Sequence, residues 1–268
     1  MANSSSISGS AGAKASAKNA TQKTSTGVRG KKKAAQTLEF RHHLVLNQWL
    51  FSLFGFDAVS GRYPVGKQFG SNKPHEAATL EAFRDRFQLK GDVTGRDDEG
   101  VHYVLKNILQ NYETSPGMSG TGADAVHKVK LTEEQLLDYD RNIKKLTDKI
   151  NEGRQNAGET ELEWKYFQYL ALLFTEVYLD YLFNRREQLL TELNEQIARW
   201  NAYWIDEQGF KHNPLHPLNP EDDYWPQLSR IAFWNATGSG KTLLMHANIH
   251  QFRHYLKRFG KPNAINHI

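Results

Sequence analysis

Between Tyr166 and Phe183 the chain is apolar on nearly every side. Phe167, Leu170, Ala171, Phe174, Tyr178 and Tyr181 fall along one helical face, and Leu172, Leu173, Leu179 and Leu182 cover much of the other. A helix that is apolar all round has no face to give to water, so it belongs at the centre of a packed body. Gln168, Glu176 and Asp180 interrupt the run. Charges at bilayer depth are costly, so the stretch reads as a buried helix and not a membrane span. Its expected start is near Thr160, which adds Trp164 to the first face. Glu176 and Asp180 are spaced i, i+4. They are expected to form the wet edge of this helix rather than a paired-carboxylate site.

Further helices are expected to surround it. The segment Leu38–Phe56 places Phe40, Leu44, Leu46, Trp49, Leu50, Leu53 and Phe54 at mostly helical spacing. Its adjacent histidines, His42 and His43, cannot share one helix face, which disfavours them as metal ligands. Residues 57–75 are Gly-rich and read as a loop. Helices are expected over Glu76–Phe87 and Gly100–Tyr112, with a second loop over Glu113–Lys128. Thr132 with Gln135 three positions on has the form of a capping box, opening a helix to about Asn151. Another helix is expected over Glu187–Trp204. Asp206–Pro226 carries four prolines and reads as a hydrated connector. The resulting division is 1–36, 37–205 (helical), 206–226 (connector) and 227–268.

The first of these segments explains the charge. The formal net charge is +4, and residues 1–36 hold seven basic side chains and no acid. The remainder has 27 basic residues against 30 acidic ones, so the basic balance belongs to a low-complexity tail. The absence of cysteine excludes disulfides and thiolate metal sites and fits a reducing, cytoplasmic setting. The N-terminus lacks the apolar core of a secretory signal.

Chemistry is concentrated in Asn235-Ala-Thr-Gly-Ser-Gly-Lys-Thr242. A compact apolar run, Leu228–Trp234, precedes it and reads as a short strand. A helix from Lys241 to about Phe259 follows. Strand, glycine turn and helix together are the setting that a phosphate-binding loop requires. Gly238 and Gly240 let the backbone curl its amides toward one anion, and the helix N-terminus adds its free N–H groups. Lys241 can reach the β and γ phosphates of a nucleoside triphosphate, and the Thr242 hydroxyl can ligate Mg²⁺. The expected nucleotide-binding set is therefore Thr237, Gly238, Ser239, Gly240, Lys241 and Thr242, with ATP and Mg²⁺ as the bound species. Asn235 stands where the strict pattern has glycine, which leaves the curl at Gly238 and Gly240 intact.

Hydrolysis also needs a carboxylate on a later strand to hold Mg²⁺ and orient water. Only 26 residues follow Thr242, and none is Asp or Glu. No complete catalytic set is expected, and the chain reads as the N-terminal part of a longer protein. His246, His250 and His254 recur at i, i+4, i+8. They are expected to form a polar face or interface in preference to a zinc site.

Three stretches resemble a known group: Leu44-Val-Leu-Asn-Gln-Trp-Leu-Phe-Ser-Leu-Phe-Gly55, Trp164-Lys-Tyr-Phe-Gln-Tyr-Leu-Ala-Leu-Leu-Phe-Thr-Glu176 and Ala232-Phe-Trp-Asn-Ala-Thr-Gly-Ser-Gly-Lys-Thr-Leu-Leu-Met-His246. They are similar to the N-terminal region of bacterial DEAD/DEAH-box superfamily-2 helicases related to the Res subunit of type III restriction enzymes. The resemblance implies a mostly α fold: a helical accessory region, then the first strand, phosphate loop and helix of a truncated recombinase-like α/β domain. It implies an ATP-dependent DNA helicase or translocase as the whole protein, with DNA and a methyltransferase-type subunit as partners and no membrane. Gly238, Gly240, Lys241 and Thr242 match the family's first motif. Gln168 matches its upstream adenine-reading glutamine, and the alternative for Gln168 is a polar residue at the edge of a buried helix. Two other readings compete: a helical interaction module with a vestigial nucleotide loop, and a P-loop enzyme of another class.

Overall fold

The computed structural model describes residues 43–56, 59, 64–65, 68–69, 80–89, 94–113, 129–219, 228, 231–233 and 238–260. The fold is mostly α. Its helices are α1 (Val45–Leu53), α2 (Leu80–Arg86), α3 (Tyr103–Glu113), α4 (Glu133–Asn156), α5 (Tyr166–Asn184), α6 (Arg186–Asn201) and α7 (Lys241–Arg258). Pro64–Val65 and Gln68–Phe69 form a minimal antiparallel pair within the segment expected to be loop. The tail 1–36 and the loop Glu113–Lys128, apart from Glu113 itself, lie outside the described residues.

The helix α5 is central, as its composition requires. Leu170, Leu172, Leu173 and Val177 are completely buried, and α1, α3, α4, α6 and α7 all pack around it. One end of this core is aromatic. Phe51, Phe54, Phe56, Phe83 and Phe174 meet at centroid separations from 5.0 to 5.9 Å, mostly tilted or edge-on. Each such ring contributes roughly 1.5–3 kcal/mol by leaving water.

Capping sets the ends of α4. Thr132 Oγ1 accepts from Gln135 N at 3.2 Å, and Gln135 Oε1 accepts from Thr132 N at 2.8 Å, closing the expected box. The helix runs past Asn151 to Asn156 and stops at Gly158, whose φ of +72° completes a Schellman turn. In that turn Glu159 N reaches Arg154 O at 2.9 Å and Gly158 N reaches Gln155 O at 3.0 Å.

The helix α5 begins at Tyr166, later than the apolar pattern suggests. Residues 159–165 are not helical, and Asn151 holds Leu162 at both polar groups: Asn151 Oδ1 accepts from Leu162 N at 2.8 Å, and Nδ2 donates to Leu162 O at 3.3 Å. This delivers Trp164 into the core, where its indole donates to Thr147 Oγ1 at 2.8 Å. The same device recurs on α6. Asn194 grips Leu218 at 2.7 and 2.9 Å, and Asn201 grips Leu215 at 2.8 and 2.9 Å. The described part of the Pro-rich connector therefore lies along α6, each asparagine amide standing in for a neighbouring strand. The α6 axis itself continues into a π-helical turn, Ala202–Glu207, that buries Trp204.

The strand expected over Leu228–Trp234 is not present at the described residues: Leu228 is helical and 231–233 have no regular secondary structure. A strand needs a neighbour to accept its N–H groups, and none is available there among the described residues. Ile231 packs against the core, while Phe233 is 40% exposed. No described helix is long and apolar enough to cross a membrane.

Candidate functional site: the glycine turn at the start of the last helix

The described loop begins at Gly238, leaving Asn235, Ala236 and Thr237 outside. Gly238 has φ +77° and Gly240 has φ +82°, both in the left-handed region that side chains with a Cβ resist. Gly240 is also the N-cap of α7, and its carbonyl accepts from Leu244 N at 3.0 Å to close the first turn. The first amides of a helix have no carbonyl acceptor within that helix, so they are directed outward from this end. Lys241 and Thr242 are exposed there, and no acid lies in the first turn. The end of α7 is thus an electropositive terminus with a lysine and a hydroxyl beside it.

Gln168, seventy-one residues earlier than Ser239, is brought to this turn. Its Nε2 donates to Ser239 O at 2.9 Å, and its Oε1 accepts from Lys165 N at 3.0 Å. One side-chain amide therefore caps α5 and holds the glycine turn. A Cβ on Gly240 would lie 2.7 Å from Gln168 Nε2, so a larger residue would displace that amide as well as strain φ. A Cβ on Gly238 would meet nothing within 4 Å, so conformation alone selects glycine there. Each end of the Gln168 amide retains one further hydrogen-bonding position. The Ser239 hydroxyl is buried and has no partner among the described residues.

What holds α7 in place is Glu176. It is completely buried, and Asp180 is 5% exposed, so the expected wet edge of α5 is instead its polar interior. The helix lies between α4 and α7, and both neighbours supply partners. Asn142 Nδ2 donates to Glu176 Oε2 at 2.8 Å, Gln251 Nε2 to Oε1 at 2.7 Å and Tyr255 OH to Oε2 at 3.0 Å. Burial lifts the carboxyl to about 7, against the opposing pull of hydrogen bonds from Asn142, Gln251 and Tyr255. Asp180 accepts from Tyr139 OH at 2.7 Å and pairs with Arg185. The sequence carried a signal for this: an acid inside an otherwise apolar helix must find donors on its neighbours. The identity of those donors, Asn142, Gln251 and Tyr255, depended on how α4 and α7 pack.

A second polar lock joins α4, α5 and the segment before α3. Asp140 accepts from Arg96 Nη1 at 2.7 Å and Tyr169 OH at 2.6 Å. His102 stacks on Tyr169 at 3.8 Å and 9°. Its Nδ1 accepts from Val104 N, leaving Nε2 to donate to Trp164 O at 3.3 Å. Burial, with the Arg96 charge adding to it, lowers the imidazole to about 3, so it stays neutral.

His43 packs against Trp200 and His212, with centroids 5.2 and 4.9 Å away. His246 and His250 bring their Nε2 atoms to 3.2 Å. No cluster of three or more metal-ligating side chains occurs among the described residues. Compared with protein-family models, curated proteins and solved structures, the chain finds no match.

Proposed function

We propose that this chain is the ATP-binding N-terminal part of an ATP-dependent DNA helicase or translocase of the restriction-enzyme Res type, and that it does not hydrolyse ATP by itself. The observation that carries the reading is the turn Gly238–Thr242, with two left-handed glycines delivering the chain into the N-terminus of an 18-residue helix. In this reading the first amides of α7 receive the β and γ phosphates, Lys241 neutralises them, and Thr242 ligates the accompanying Mg²⁺. Gln168 positions the turn through Ser239 O, and its remaining donor and acceptor face an adenine edge. The run Leu228–Trp234 becomes the first strand of a recombinase-like sheet when its neighbouring strands are supplied. The helical body α1–α6 acts as the accessory region that fixes α7.

Support also comes from the charge pattern: α7 carries no acidic residue, so nothing on it opposes a polyphosphate. Direct binding of Mg·ATP by calorimetry tests the reading. Saturable binding by the native chain, lost in Lys241→Ala, is the expected result. Equal binding by both, or hydrolysis by the native chain that depends on Lys241, contradicts it.

A further inference from the structure

Helices α4 and α7 lie side by side and run in opposite directions. Arg258 reaches Asp138 at 3.6 Å at one end of the seam. At the other end, eleven residues along α4, Lys149 lies close to His250. Its charge, after burial and together with His246 and Arg253, holds that imidazole below its ordinary value. Midway, burial and then the charges of Arg258 and Lys145 do the same to His254, with Asp138 opposing. The seam is about 16 Å long, and Arg141, Lys145, Lys149, Arg253 and Arg258 bring positive charge to it.

Its side chains are regularly spaced. Arg141, Lys145 and Lys149 follow one another at i, i+4, i+8 on α4, and His246, His250, His254 and Arg258 do so on α7. Each step advances about 6 Å along the helix, close to the separation of successive phosphates along a nucleic-acid strand. Arg141, Lys145, Lys149, Arg253 and Arg258 are exposed. Between the helices lies a cavity of about 180 Å³, lined among others by Arg141, Asn142, Lys145, His254 and Arg258, with Glu176 at its base. The acids that could oppose an anion are accounted for. Asp138 is shared by Arg141 and Arg258, Asp148 pairs with Lys144 at 2.7 Å, and Glu176 is enclosed by its three donors. Glu152 lies at the far end of α4.

We propose that the α4–α7 seam binds the phosphate backbone of single-stranded DNA, tracked by the two facing ladders Arg141–Lys145–Lys149 and His246–His250–His254–Arg258. The choice of DNA over other polyanions rests on the motor reading given above; the regular spacing of the exposed cations favours a repeating phosphate chain over an acidic protein face. Coupling follows from position. A strand held along α7 touches the same helix whose first turn would carry the nucleotide.

Fluorescence anisotropy of a labelled single-stranded DNA oligonucleotide tests this with the full chain, because the basic tail is then common to every variant. Lys145→Glu with Lys149→Glu is expected to weaken binding roughly tenfold or more and to lower the slope of log K against log salt by about 1.4. Lys130→Glu with Lys211→Glu makes the same change in net charge at exposed positions off the seam and is expected to stay within about twofold of native. Equal losses in the two pairs, or no loss in either, overturn the proposal. So does equally strong competition by poly-glutamate, or binding of an RNA strand that DNA does not displace. Mg·ATP binding by the seam variants should match the native chain. If the native chain binds no Mg·ATP but the seam-dependent DNA binding persists, the nucleotide reading fails and the seam stands.

Discussion

The helical body and the glycine turn are held by different amounts of structure. Around α5, buried acids are tied from several helices at once: Asp140 by α5 and the segment before α3, Glu176 by α4 and α7, Asp180 by α4 and Arg185. At the turn, one amide from Gln168 supplies the described side-chain contact to Ser239. The contrast shows how rigidity is distributed. The helix that presents the loop is locked along its length, while among the described residues Gln168 restrains the loop at the Ser239 carbonyl. A site that must admit and release a charged ligand suits such a light restraint on a firm base.

The strongest way to break this contrast is to damage the body. Asp140→Ala strands Arg96 beside a buried void and removes the acceptor for Tyr169. Chemical denaturation should show a loss of about 3–5 kcal/mol. An unchanged midpoint would mean that the lock contributes nothing.

Next in size is a pH effect with two opposed parts. Glu176 holds its proton more tightly in the fold, at about 7 against 4.5. Between those values the folded chain carries the extra proton, so this group makes stability fall as pH rises through the window. The scale is on the order of 3 kcal/mol. His102 works the other way. Folded it titrates at about 3 against 6.5, so the unfolded chain carries the extra proton and stability falls as pH drops through that range. In the native chain the two slopes nearly cancel between about pH 4.5 and 6.5, so melting curves of Glu176→Gln should show stability rising with pH across that range, where the native chain is nearly flat. The acid limb, which belongs to His102, should survive that substitution. A native-like profile in Glu176→Gln would show that the carboxyl is not the titrating group.

The smallest effect sharpens the comparison at the loop. Gln168→Ala removes both the cap on Lys165 N and the tie to Ser239 O. A stability loss of about 1–2 kcal/mol is expected from the lost bonds. Mg·ATP affinity should fall more than the melting temperature suggests, by roughly three- to tenfold, because the turn loses its positioning group. A proportionate loss of both would make Gln168 a structural cap only.

Much of the fold was legible because it rests on local rules. The all-round apolarity of α5 placed it at the centre, and Thr132 with Gln135 marked the start of α4. The last helix, expected from Lys241 to about Phe259, runs from Lys241 to Arg258 with Phe259 as its C-cap. The misreadings came from non-local partners. Glu176 and Asp180 looked like a wet edge because their donors, Asn142, Tyr139, Gln251 and Tyr255, sit on other helices. The late start of α5 depended on Asn151 gripping Leu162, and the apparent freedom of the connector on Asn194 and Asn201. At the site, the two glycines announced the turn, but the link from Gln168 to Ser239 spans too much chain for spacing to reveal it.

In the proposed function the amides at the start of α7 receive a triphosphate. Backbone amide NMR of the native chain, titrated with Mg·ATP and then with Mg·ATP in Lys241→Ala, tests it most directly. Saturable shifts concentrated at Gly238–Leu243 are expected, with smaller ones at Gln168, and their loss in the variant. Shifts confined to the Arg141–Lys149 face of α4, or none at the turn, would contradict it.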